Sequence, residues 1–312
     1  MKKTTTDPKQ SSDNCVVQKS QWNRLYSRGL KLAARGPRLS LQAISCGPPL
    51  SSVTWTRVCL CVCCESSHVS ASVFRSLNSD VRLEDDGRCD VDVLDASSLS
   101  YQQFLERYAY SRPVVLRALT NNTNFRLLCS KWTLLQEYGG RTVRLSTANT
   151  YSYRKVDVSF QEYVDVFLKP QSTEVLGNDT LYFFGDNNMS EWQSLFQNYV
   201  SPPYVLPLTS AAYSFGIAGP GTGVPFHWHG PGFSEVIYGR KRWFLSPPDK
   251  EPHFHPNHTT LSWLRDIYPS LPEDEAPLDC TIRPGEVLYF PDRWWHATLN
   301  LDTSVFISTF LG

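Results

Sequence analysis

With 312 residues, 41% of them hydrophobic, the chain can bury the core of one large β domain or two smaller ones. Its 30 Lys+Arg balance 30 Asp+Glu, so there is no net field to recruit nucleic acid or an anionic membrane, and no run of about eighteen apolar residues suggests a spanning helix. The balance conceals an asymmetry: residues 1–50 carry nine Lys/Arg and two Asp/Glu, leaving 21 against 28 for the rest.

Residues 1–77 read as a disordered or mis-assigned leader, rich in Ser, Thr and basic residues and without a sustained period. Arg24, Arg28, Lys31, Arg35 and Arg38 resemble a transit peptide. The short apolar run Val58–Cys64 followed by Val69-Ser70-Ala71 resembles a secretory signal, though an internal one. The Cys-Leu-Cys-Val-Cys-Cys cluster at 59–64 lacks the spacing of a zinc knuckle.

A folded region is expected over 90–312, with a helical buttress about 95–200 and a barrel core about 205–312. Ser100 and Gln103 form a capping-box pattern opening a helix with Phe104, Leu105 and Tyr108 on one stripe. Arg112–Leu116 reads as a strand. Ser130 caps a helix ending at Gly139-Gly140, Arg141–Leu145 is strand-like, and Ser159 with Glu162 repeats the capping box. Leu181–Phe184 reads as a buried strand ending at Gly185-Asp186.

Beyond Pro202-Pro203, strands are expected at 211–218, 226–229, 234–239, 241–245, 280–283, 287–290, 296–301 and 304–310, interrupted by one helix over about 260–268. Short strands at close spacing with Gly/Pro turns indicate a sandwich or barrel. The fold expected is mainly β with α, a barrel buttressed by helices from the first half.

Six of the nine cysteines fall in the first 64 residues, leaving Cys89, Cys129 and Cys280 in the folded part. Three thiols allow one disulfide, and the sequence leaves the pair open. Asn121, Asn178, Asn188 and Asn257 head N-x-S/T sequons, which favour a luminal or secreted protein.

Three of only seven histidines carry the chemistry. His227 and His229 stand two apart, so on a strand both imidazoles point the same way, and His296 from a distant strand can close a face around a metal ion. His68, His253, His255 and His258 lie in the leader or in a Pro-rich loop, where solvation is the default. Lys241 shares a strand face with Trp243 and Leu245. If that face is the interior, an ammonium sits within an apolar wall and calls for an anion, such as a small dicarboxylate chelating the metal. The opposite choice would turn Arg240 and Arg242 inward and bury two guanidinium groups.

The run from Gly285 to Leu301, closing on Trp294-Trp295-His296, resembles the closing motif of the JmjC (jumonji-C) family. Pro225-Phe-His227-Trp-His229 and Gly239-Arg-Lys241-Arg-Trp243 extend the resemblance over roughly residues 95–312. It implies a double-stranded β-helix, the cupin-like barrel, with Fe(II) as metal and 2-oxoglutarate as cosubstrate. By position His227 and His296 match the two family histidines, Lys241 matches the lysine that pairs with the far carboxylate of 2-oxoglutarate, and Tyr182 matches an assisting strand tyrosine.

The chain departs from the pattern at two places. His229 stands where active members carry a carboxylate, and Val224 stands where a threonine is common. An imidazole for a carboxylate raises the site's charge by one and removes the hard oxygen ligand that suits Fe(II), unless Glu235 swings in to replace it.

With these departures, the expectation is a protein regulating others by protein binding, with weak or no oxygenase activity, and the sequons with the resemblance place it in the endoplasmic-reticulum lumen. The alternative is a working Fe(II)/2-oxoglutarate protein hydroxylase with a three-histidine site. A chromatin demethylase lacks support, since there is no nuclear signal or basic nucleic-acid surface. Protein partners are expected, nucleic acid and a membrane span are not, and homo-oligomerisation is open.

Overall fold

The computed structural model describes residues 81–312, so the expected leader over 1–77 lies outside the described residues. Twelve strands are described: β1 Asp92–Asp95, β2 Val114–Arg117, β3 Thr142–Thr147, β4 Lys155–Ser159, β5 Leu181–Phe184, β6 Ala211–Ala218, β7 Gly232–Tyr238, β8 Lys241–Ser246, β9 Leu278–Ile282, β10 Glu286–Phe290, β11 Trp295–Asn300 and β12 Ser304–Leu311. They form a nine-stranded sheet in the order β1-β2-β10-β7-β12-β6-β5-β3-β4 and a three-stranded sheet in the order β11-β8-β9.

The two sheets face each other across an apolar layer. Val236, Leu288 and Phe290 of the large sheet meet Trp243, Leu245 and Ile282 of the small one. This is the double-stranded β-helix expected from the sequence.

Both sheets are also covered on their outer faces. Phe215, Ile217, Ile237 and Ile307 pack under Phe125, Leu134, Trp192 and Leu195 from the helical half. Phe244, Ala297 and Leu299 pack under Leu261, Trp263 and Leu264 of helix Thr260–Asp266. Strands buried on both faces lose the apolar–polar alternation that would tell inside from outside, and β8 and β10 are buried at every residue.

The expected caps are present. Ser100 and Gln103 make the reciprocal capping box at helix Tyr101–Arg107, and the Ser130 hydroxyl accepts from Thr133 N–H at helix Lys131–Tyr138. Ser159 accepts from Glu162 N–H, half of the expected capping box, at a helical turn Phe160–Glu162 that runs on as a π turn over Tyr163–Phe167. Helix Thr123–Leu128 and strands β1 and β4 were not anticipated; all three are short, and the helix has no side-chain cap to announce it.

The expected strand 226–229 needs correction. Backbone bonds run from Asn300 N to Thr222 O, from Thr298 N to Val224 O and from His296 N to His227 O, so the segment does follow β11. One more residue separates Val224 from His227 than separates Thr298 from His296, which makes a bulge at Pro225-Phe226. Pro225 and Pro231 have no N–H to give a ladder. Only the isolated bridge His227↔His296 remains.

Order also begins before Asp90. Val81 and Leu83 pack beside Phe226 and Leu299, Asp86 pairs with Arg240 and Arg283, and Cys89 is joined to Cys280 by a disulfide. Cys129 is the buried free thiol among the described residues. The question the sequence left open is settled by the seating of residues 81–90 along β9.

Candidate metal centre

The tight turn at Gly239 (φ +78°), where a Cβ would lie 2.6 Å from Ser304 Oγ, joins β7 to β8 and sets Lys241 at the start of its strand. From β11, His296, Thr298 and Asn300 point into the barrel while Ala297 and Leu299 point out to the helix. The bulged segment brings His227 and His229 to the mouth, so that the structure does assemble the three expected imidazoles. Ring centroids are 4.3 Å apart for His227 and His296, 4.6 Å for His229 and His296, and 5.4 Å for His227 and His229. One ligand atom from each lies within 4.8 Å of the others.

The tautomers are fixed by the backbone. Nδ1 of His227 lies 2.9 Å from Pro225 O, Nδ1 of His229 lies 2.8 Å from Gly230 O, and Nδ1 of His296 lies 2.8 Å from Trp294 O. A carbonyl only accepts, so each Nδ1 carries the proton and donates it, and each Nε2 keeps its lone pair. The Nε2 atoms of His229 and His296 then face each other at 3.1 Å. Two lone pairs at that distance repel unless a cation stands beside both.

A proton is poorly suited to that place. Burial, with the neighbouring imidazoles, holds His227 down to about 3 and His296 well below the ordinary imidazole value, and burial likewise lowers His229. Three neutral, pre-oriented imidazoles are a donor set for a divalent transition metal.

The same shifts predict the acid behaviour of metal-free protein. Between about 3 and the ordinary 6.5, the unfolded chain takes up a proton at His227 that the folded chain refuses. Stability therefore falls as pH drops through this window. Denaturant unfolding of chelator-treated protein at pH 7.5 and pH 5 should show the loss, and His227→Phe should reduce it; a loss unchanged by His227→Phe would contradict the assignment.

Lys241 is inside the barrel as expected, 4% exposed, with burial lowering its ammonium to about 7. Its Nζ lies 3.2 Å from Asn300 Oδ1 and 3.8 Å from the centroid of Phe306. The choice between Lys241 and its arginine neighbours was not exclusive. Arg242 is buried too, on the other face of β8, in a bidentate pair with Asp279, while Arg240 is only part-buried, with Asp302 and Asp86.

Tyr182 is buried beside Ala218, Phe184 and Phe306, with Val224 packed against the same cluster. Glu235 does not serve as the oxygen ligand. It points to the outer face of β7, where Asn122 Nδ2 donates to both its oxygens at 3.0 Å and Thr120 and Tyr199 donate as well. Among the described residues no carboxylate joins the three histidines. Of the sequon asparagines, Asn121, Asn178 and Asn188 are exposed and Asn257 is half-buried, its Oδ1 accepting from Asn178 N–H.

Phe306, Asn300 and the Arg242–Asp279 pair were not singled out from the sequence. Two-residue alternation along β12 would have placed Ser304, Phe306, Ser308 and Phe310 on one face, which was the available signal.

Comparisons with known proteins find relatives in sequence and in structure. A profile of the cupin-like domain matches residues 101–310. The human JmjC domain-containing protein 8 is 69% identical over 216 residues, covering 69% of this chain and 82% of its own length. The rat protein of the same name is 64% identical over 236 residues, covering 76% and 87%. Among solved structures, the Escherichia coli ribosomal oxygenase YcfD is similar at 21% identity and a TM-score of 0.42, over 68% of this chain and 51% of that one.

Proposed function

We propose a function from one premise: the chain belongs to the JmjC domain family of cupin-like proteins. In this reading the cup holds one divalent transition-metal ion, Fe(II) by family resemblance, on the Nε2 atoms of His227, His229 and His296. The protein serves in the lumen of the secretory pathway as a regulatory module that binds other proteins, with weak or no oxygenase turnover.

The observation that carries the reading is the tautomer lock. Three Nδ1 protons are committed to backbone carbonyls, one ligand nitrogen from each ring lies within 4.8 Å of the others, and no carboxylate stands among them. Oxygenase chemistry on Fe(II) favours two histidines and one carboxylate, and the third imidazole removes the anionic donor. The Cys89–Cys280 disulfide and the exposed sequon asparagines support an oxidising lumen. No helix among the described residues is long and apolar enough to cross a membrane.

A second reading, a working hydroxylase on the three-histidine site, is favoured by the burial of Lys241 in the same barrel. The test is decarboxylation of 2-oxoglutarate by the iron-loaded protein. No turnover above a His227→Ala control supports the binding module. Sustained turnover, many cycles per protein, abolished by His227→Ala supports the hydroxylase and overturns the first reading.

A further inference from the structure

Lys241 already has partners inside the barrel. Asn300 donates through Nδ2 to Thr222 O at 2.8 Å, which fixes its amide and turns Oδ1 toward the ammonium. The next side is covered by the face of Phe306, whose centroid lies 3.8 Å from Nζ, well inside the range of a cation–π contact.

The ring is wedged in place. Phe184 packs against it with centroids 5.3 Å apart. Beneath both lies Gly216, where a Cβ would fall 2.8 Å from Phe306 Cζ and 2.8 Å from Phe184 Cδ2. Only a glycine there leaves the slot that seats both rings. Ala218 and Val224 complete an apolar floor beside the Tyr182 ring, and Val224 stands where the resemblance places a threonine hydroxyl. The residues present therefore do not fit a second carboxylate at Lys241 as they fit a metal at the imidazoles.

We propose that Phe306 selects ligands for this cup, its ring standing against Lys241 in place of a carboxylate and so disfavouring dicarboxylates that would bridge metal and lysine, 2-oxoglutarate among them. This rests on the metal-cup reading for the near end of the ligand, while the far end depends on Phe306 and Lys241 alone.

The test is titration of succinate, 2-oxoglutarate and the monocarboxylate butyrate by calorimetry, with and without bound zinc. Proteins compared are the wild type, Phe306→Leu and Phe306→Leu/Lys241→Met. Leucine keeps the site apolar but removes the π face and opens space. Phe306→Leu should bind both dicarboxylates at least about tenfold more tightly than wild type. Butyrate should be unchanged, and the double variant should lose the gain. Equal dicarboxylate affinity in wild type and Phe306→Leu, or a gain that survives Lys241→Met, would overturn the proposal.

Should the variants fail to fold, wild-type NMR decides. The Lys241 side-chain resonances, shifted by the ring current of Phe306, should stay in place under millimolar succinate, and movement at micromolar succinate would overturn the proposal. Loss of zinc binding in the wild type would sink the metal-cup reading and leave the metal-free comparison intact.

Discussion

Replacing His296 with alanine should abolish metal retention, weakening affinity by more than about 100-fold, since even partners one step removed from a metal are worth 10- to 100-fold. His296 is the deepest of the three imidazoles, 2% exposed, and closes on both of the others. His255→Ala is the control. His255 and His258 lie in an exposed loop with rings 4.4 Å apart and could take up metal weakly at the surface. Equilibrium dialysis against zinc or cobalt should show one tight site lost in His296→Ala and kept in His255→Ala. The reverse pattern would move the site to the loop.

A comparable effect, on stability, is expected at Asp279. The Arg242 guanidinium donates to it through Nε at 2.9 Å and through a second nitrogen, and Tyr268 OH donates at 3.1 Å. Asp279 is fully buried and Arg242 is 7% exposed. Asp279→Ala strands an uncompensated guanidinium and should cost about 3–5 kcal/mol. For a domain of this size that is a fall in Tm on the order of 10 °C. The backbone of Asp279 also bonds Asp90 in both directions, beside the Cys89–Cys280 link, so residues 81–95 should loosen first under hydrogen exchange. A Tm within about 1 °C of wild type would contradict this account of the pair.

The barrel was legible because its strands are short, apolar and punctuated, and because capping residues marked the helices. The metal candidates were legible because two histidines two apart survive as a pair even on irregular backbone. The bulge at Pro225-Phe226 broke the expected strand, yet His227 and His229 still face the same cup.

What stayed hidden depends on three-dimensional choices between equivalent faces. Lys241 and Arg242 lie on opposite faces of β8 and both are buried, because this strand is covered on each side. Glu235 looked available as a ligand, but odd positions of β7 face away from the cup, and Asn122 and Tyr199 claim it there. Phe306 looked like one more core residue in an apolar run, and only its placement against the ammonium gives it a role.

The central claim is that three Nδ1-protonated imidazoles, and no carboxylate, hold the metal. Proton NMR of the cobalt(II)-substituted protein reads this directly, because each ligating imidazole contributes one strongly shifted Nδ1–H signal that exchanges away in D₂O. The account predicts three such signals, each lost with one of His227, His229 and His296. Two signals, or none, would contradict it.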